Sequence, residues 1–142
     1  MRDAAGVEVR PYGKRDLVAV LDLCVAEGWD SLPADAVRAH RILTNPGVTT
    51  VVAADDDGTV VGFLYLLSDG EVQAYIASMA VASSYRGRGI GTRLVSEAVA
   101  ASGAERADLL SDADGFYESL PYVRRTGFRI YPGAEPGNLE SR

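Results

Sequence analysis

One run of residues carries types and spacing that could do chemistry: Met79-Ala80-Val81-Ala82-Ser83-Ser84-Tyr85-Arg86-Gly87-Arg88-Gly89-Ile90-Gly91-Thr92-Arg93-Leu94. An apolar, strand-like stretch enters three alternating glycines, and these enter a segment with Leu94, Val95, Ala98 and Val99 at helical spacing. Glycine lets the backbone turn tightly and approach a ligand closely. The first N–H groups of a helix have no intrahelical partner, and the helix dipole adds positive charge there. Such a place binds anions, with a pyrophosphate as the natural occupant. Arg86, Arg88 and Arg93 would add fixed charge, and the planar guanidinium suits phosphate. The glycine spacing is GxGxG, which differs from the dinucleotide GxGxxG, and GxxxxGK[ST] is absent. A Rossmann loop would also sit in a βαβ unit near its start, whereas this one follows a run of strands.

The elements that must position this loop follow from periodicity. Val7-Glu8-Val9-Arg10 reads as an opening strand. Lys14 to Glu27 has Leu17, Val20, Leu21, Cys24 and Val25 on one helical stripe, with Asp16 at its start and Gly28 at its end. Ser31-Leu32-Pro33 opens a second expected helix with Val37, Ile42 and Leu43 as its stripe, stopped by Asn45-Pro46-Gly47. Val48–Ala54, Thr59–Leu67 and Val72–Val81 read as an antiparallel meander turning at Asp57-Gly58 and Ser68-Asp69-Gly70. A helix over Gly89–Ser102, a strand over Ala107–Leu110, a short helix over Asp112–Leu120, a last strand over Tyr122–Ile130 and a loose tail from Pro132 complete the order β-α-α-β-β-β-α-β-α-β. That is an α+β chain leading into an α/β unit.

Composition agrees with one globular domain. The chain has 142 residues, 47% of them hydrophobic and 24% charged, so neither global disorder nor a collagen-like fold is in question. No apolar run reaches the roughly 20 residues of a spanning helix, and the start does not read as a signal peptide. A cytoplasmic protein away from membranes is the expectation. With Cys24 and His40 the only cysteine and histidine, neither a disulfide nor a thiolate–imidazole metal site can form within the chain. The formal charge of −6 argues against nucleic acid as a partner and suits a cationic substrate.

Arg86-x-x-Gly89-x-Gly91, after a strand ending Met79-Ala80-Val81, resembles the acetyl-CoA-binding motif of the GNAT N-acetyltransferase superfamily, [Gln/Arg]-x-x-Gly-x-[Gly/Ala]. The block from Val72 to Phe128, closing on Gly127-Phe128-Arg129, is similar as well. The resemblance implies a GNAT fold: a mixed, mostly antiparallel central sheet of six to seven strands flanked by about four helices. It would be one domain over 1–142, with acceptor-side helices in 1–47, the acetyl-CoA core in 48–111, the C-terminal helix and last strand in 112–131 and a tail in 132–142. By that resemblance the backbone of Met79, Ala80 and Val81 holds the pantetheine arm as a pseudo-strand. Arg86, Gly87, Arg88, Gly89, Ile90, Gly91 and Thr92 take the pyrophosphate. An amine of a small molecule or peptide attacks the thioester directly, with acetyl-CoA as co-substrate and no metal. Homodimers are common in the family. The competing reading is a non-catalytic acyl-CoA-binding sensor.

The resemblance implies a tyrosine as acid for the leaving thiolate, and Phe116-Tyr117-Glu118 fits the start of that segment. Tyr117 lies ten residues before Gly127, where the family has about four, so Ser119–Arg125 reads as an insertion and Tyr122 is a rival. The family's place for a strand glutamate falls at Tyr75, which reads as a pocket wall. Alternation puts Glu71, Gln73, Tyr75, Ala77 and Met79 on one face, with Glu71 as its carboxylate and a candidate base acting through water. Trp29 and Asp30 could hold an apolar amine, with a buried Trp29 the alternative. Cys24 is expected in the core, His40 and Asp55–Asp57 in solvent. Arg124, Arg125 and Arg129 are expected in solvent, with the CoA 3′-phosphate or an acidic substrate as the alternatives.

Overall fold

The computed structural model describes residues 6–111 and 119–141. The chain forms two compact units, 1–109 and 110–142. The first carries a five-stranded sheet in the order β1 (Glu8–Pro11), β2 (Val48–Ala54), β3 (Val60–Ser68), β4 (Gln73–Val81) and β5 (Arg106–Asp108). β1 to β4 pair antiparallel, and β5 joins β4 in parallel. A parallel neighbour needs a crossover, and the helix α3 (Ile90–Ser102) supplies it. The mixed, mostly antiparallel sheet is as expected. The strand count is five among the described residues, and the α-helices number three there with α1 (Leu17–Ala26) and α2 (Ala36–Leu43).

The helices split over the two faces of the sheet. α3 puts Ile90, Leu94 and Ala98 against Val51, Leu64, Leu66, Ala74 and Ile76. α1 and α2 put Val20, Cys24, Ala39 and Leu43 against Val52, Phe63 and Ala80. Cys24 is core, and burial together with Glu27 pushes its thiol up to about 11. α3 ends at Gly103, which sits at φ 79° hard against the β3–β4 turn. A Cβ there would lie 2.6 Å from the Gly70 carbonyl oxygen, so only glycine closes this corner.

Several expectations shift. α2 begins at Ala36, because the Asp35 side chain accepts from Arg38 N–H at 3.1 Å and sets the cap there, past the expected Ser31. Asp16 serves a different end. It is 3% exposed, takes a two-pronged bond from Arg10 at 2.8 and 2.9 Å, and accepts from Gly13 N–H. Burial would raise its pKa, but the Arg10 hydrogen bonds, the Gly13 N–H and the charges of Arg10 and Arg15 hold it below the usual carboxylate range. His40 is half-buried and meets the Tyr12 hydroxyl at 2.9 Å through Nδ1, tying α2 to the end of β1.

The expected last strand, Tyr122–Ile130, does not form. Residues 121–131 adopt no regular element and are exposed. Alternation alone offers hydrogen-bonding edges but no partner to satisfy them. The expected helix over Asp112–Leu120 falls mainly on residues 112–118, outside the described residues.

Candidate functional site

The site is built on β4. Its pairing with β5 covers only Gln73–Tyr75 against Arg106–Asp108, and β4 runs on to Val81. Backbone groups in an antiparallel strand point alternately to either side. The Ala82 N–H reaches the Val61 carbonyl on β3 at 2.8 Å. The groups of Val81 and Met79 therefore face the other side, where β5 has diverged. This is the splayed edge that a pantetheine-like arm could complete, and Met79 and Val81 are two of the residues expected to hold it.

Halfway along β4 the register breaks. Tyr65 pairs with Ser78, but Leu66 pairs with Ile76, so Ala77 is an extra residue in a β-bulge. The bulge corrects the expected facing. Ala74 and Ile76 point to the α3 side, and Met79 also packs on that side. Tyr75 therefore faces the α1/α2 side, and it does not share a face with Met79. Glu71 is not on the strand at all. It sits in the exposed turn before β4, where its N–H donates to Asp69 Oδ1 at 2.8 Å. The spacing of large apolar residues already carried the signal: Ile76 to Met79 is three residues where alternation needs two.

Beyond β4 comes a 3₁₀ turn, Ser83–Tyr85, then the glycine loop. Gly87 and Gly89 take φ 78° and 80°, the left-handed region that glycine enters freely. Gly89 is the residue before α3, and the first helical bond is Arg93 N–H to the Gly89 carbonyl at 3.1 Å. The amides of Ile90 and Gly91 precede that bond and belong to the helix's anion-binding end. A Cβ at Gly87 or Gly89 would meet nothing within 4 Å, so conformation and open approach to the backbone explain these glycines, and packing does not.

The arginines divide their work. Arg86 donates from Nε to the Val81 carbonyl at 3.1 Å and pairs with Glu27 at the end of α1. It thus closes over the splayed edge. A carboxylate at a helix C-terminus is unfavourable against the dipole, and Arg86 offsets that. Arg88 lies over the Tyr85 ring at 4.9 Å and donates to the Ser84 carbonyl. The Tyr85 hydroxyl donates to Asp55 Oδ2 at 3.1 Å, and Asp55, with burial second, raises the Tyr85 pKa. Asp55 is therefore half-buried in a structural role, while Asp56 and Asp57 are exposed as expected. Arg93 reaches the Val7 carbonyl at 3.0 Å and Glu97 at 3.9 Å, so it braces α3 against the N-terminal strand. Glu27 did not stand out in the sequence because it lies far along the chain from Arg86, and Asp55, expected in solvent with Asp56 and Asp57, was not linked to Tyr85 thirty residues on.

The other expected site residues are placed as follows. Tyr75 is 36% exposed and lines a groove with Pro46, Val48 and Leu67. Trp29 and Asp30 lie exposed between α1 and α2, and Trp29 N–H bonds the Cys24 carbonyl. They are not among the residues lining that groove. Tyr117 lies outside the described residues. Tyr122 is exposed within the 110–142 unit. Among the described residues no group of His, Cys, Asp or Glu could hold a metal, and no helix is long and apolar enough to cross a membrane.

Residues 46–124 match the acetyltransferase (GNAT) domain family. A mycothiol acetyltransferase of Nocardia farcinica is 37% identical over 83 residues, 58% of this chain but only 27% of that protein. A putative acetyltransferase of Deinococcus radiodurans superposes with a TM-score of 0.72 at 27% identity, covering 93% of this chain and 92% of its own. One from Agrobacterium tumefaciens gives 0.70 at 27% identity, covering 87% and 99%. With that domain matched over more than half of its length, the chain belongs to the GNAT acetyltransferase family.

Proposed function

We propose that the chain transfers an acetyl group from acetyl-CoA to a primary amine of a small molecule or peptide. The observation that carries this is the conjunction at the end of β4: a strand edge that β5 leaves beyond Tyr75, with no other strand beside it among the described residues, next to a glycine loop that opens α3. Strand edge and helix terminus suit the two halves of one ligand, an amide-bearing arm and a pyrophosphate. The Met79 backbone and the Val81 N–H would align the arm, whereas the groups of Ala80, expected to share in this, face β3, and the amides from Arg88 to Thr92 would take the phosphates. Arg86 stands at the junction between them.

Aligning the amine against the thioester would supply much of the rate, several kcal/mol in comparable two-reactant sites. The amine nitrogen bonds the carbonyl carbon, the C–S bond breaks, and the thiolate takes a proton. Tyr117 is the proposed donor of that proton, with Tyr122 its rival. β4 carries no carboxylate between Gln73 and Val81, so water takes the ammonium proton, with Glu71 in the preceding turn as the protein group behind it. A cytoplasmic setting, where acetyl-CoA is made and used, belongs to this reading.

Calorimetric titration with acetyl-CoA, followed by thiol release over a panel of amines, tests it. Binding lost in the Arg86→Ala, Gly89→Ala double variant, with turnover reduced in Tyr117→Phe, is the expected result. Binding without turnover of any amine would favour the sensor, and no binding to the native protein would overturn the assignment.

A further inference from the structure

The last residue pair before β5 leaves β4 is Tyr75 with Asp108. Ala74 and Ile76 on β4, and Ala107 and Leu109 on and just after β5, pack on the α3 side. Alternation therefore puts Gln73, Tyr75, Arg106 and Asp108 together on the opposite face. β4 brings no carboxylate to that face, and β5 brings Asp108. α3 closes its own side of the sheet, whereas Tyr75 and Asp108 are exposed. An acceptor reaching the start of the splay comes over this face.

The carboxylate is held in place there. Gln73 Nε2 donates to Asp108 Oδ2 at 2.8 Å and to the Ala74 carbonyl at 3.1 Å. Gln73 Oε1 accepts from Arg106 Nε at 2.7 Å. A guanidinium only donates, so the amide cannot turn over, and both of its N–H groups are committed. Asp108 Oδ1 is left without a hydrogen-bond partner among the described residues. Arg106 and Tyr75 are the charged and titratable groups beside it on the two strands. An arm whose pyrophosphate sits at the α3 end runs down β4 from Val81 past Met79, so its thioester end approaches Ala77. Ala77 is two residues, about 7 Å, beyond Tyr75, and neighbouring strands lie about 4.8 Å apart. An amine set against that thioester has the Asp108 carboxylate beside it. Glu71 lies at the other end of the β4–β5 pairing, in the turn before Gln73.

We infer that Asp108 receives the acceptor's ammonium on Oδ1 and takes its proton, in place of water and Glu71, with Gln73 and Arg106 as the positioning residues that aim it. The inference rests on the transferase reading. The ammonium gives one proton to Oδ1. The nitrogen then bonds the thioester carbon and loses a second proton as the C–S bond breaks, and the thiolate takes one up. The net products are the amide, the thiol and the proton that Asp108 returns to water.

Phenethylamine, spermidine and alanine amide serve as acceptor probes, with thiol release as readout. For each amine that is acetylated, Asp108→Asn should lower kcat/KM about 100-fold or more, the scale of general-base catalysis. Acetyl-CoA affinity by calorimetry and the melting temperature should stay unchanged, since the carboxylate is exposed. Below the pKa of a primary amine, near ~10, wild-type kcat/KM should be level with pH, whereas the variant, which must await amine freed in solution, should gain about tenfold per unit. Asp108→Glu should recover part of the rate and the level profile. Gln73→Leu should lower kcat less than Asp108→Asn and keep the level profile. Glu105→Gln, the same loss of charge at an exposed neighbour on the chain, should stay near wild type. An Asp108→Asn variant with wild-type kcat/KM would overturn the inference alone. So would a loss of rate with the level profile kept, or a loss in Glu71→Gln that Asp108→Asn does not share. A wild type that fails to bind acetyl-CoA, or binds it and acetylates none of the three amines, would remove the transferase reading and this inference with it.

Discussion

The two faces of the sheet are covered in different ways. On the α3 face one helix of 13 residues, about 20 Å long, lies on an apolar floor, and its N-terminus meets the glycine loop. The contacts are aliphatic, and the ligand-facing groups are largely backbone. On the other face two shorter helices are held partly by polar ties: Arg10–Asp16, Tyr12–His40, and the Thr50 hydroxyl donating to the Leu43 carbonyl at 2.7 Å. These leave Val48, Leu67 and Tyr75 open. A backbone-built site accepts little change in its ligand, whereas a floor of side chains can be re-cut by substitution. The first suits a ligand shared across a family, and the second a contact that differs between members.

The comparison breaks most completely at Ala77. Deleting it would leave Ile76, Ser78 and Met79 in strict alternation with their facings kept, so the cooperative thermal transition should survive. The bend that a bulge puts in its strand would go, and acetyl-CoA binding followed by calorimetry should be lost. Next in size is Arg10→Ala, which strands the buried Asp16 carboxylate. Breaking a buried pair costs about 3–5 kcal/mol, measurable by urea unfolding. The acid limb should move too. The depressed pKa of Asp16 means its contribution is fully present above the unfolded carboxylate value near ~4 and is lost as pH falls through the lower folded value. Without Arg10 that loss should begin at higher pH.

Gly89→Val acts on the donor side. A side chain forced to positive φ costs about 1–2 kcal/mol, so the melting temperature should drop modestly. Acetyl-CoA affinity should fall far more, since the loop's approach to the phosphates goes with it. Calorimetry and a thermal melt on the same sample separate the two effects. The smallest expected effect is from Glu27→Gln, which frees Arg86. The guanidinium is largely exposed, and such pairs are worth about 0–1 kcal/mol. A weakening of acetyl-CoA binding by up to about fivefold, with kcat unchanged, is the outcome to look for. An equal loss in kcat would instead place Glu27 in the chemistry.

The glycine loop was legible because its signal is local: alternating glycines, the end of a preceding strand and a following amphipathic helix lie within 24 consecutive residues, Met79–Ser102. The order of the first eight elements was legible for the same reason. The exposed patch of Val48, Leu67 and Tyr75 was not, since these residues meet only through cross-strand register. The register itself depends on a bulge that strict alternation overruns. Asp35 outcompeted Ser31 as the start of α2 because its carboxylate reaches a backbone donor three residues on. Arg10 and Asp16 are six residues apart in sequence, too irregular a spacing for any periodic pattern to flag. Tyr122–Ile130 shows the reverse failure, a plausible strand pattern without a strand to join.

The open edge of β4 also has a kinetic consequence. Ordinarily the amides of a strand flanked on both sides exchange with solvent only when the sheet opens, at a cost near the global stability. Here the Met79 and Val81 amides face the gap left where pairing with β5 stops at Tyr75. They should take up deuterium far faster than their neighbours Ser78 and Ala80, whose amides point to β3. Alternate amides of one strand would then report on two different events, ligand occupancy and unfolding.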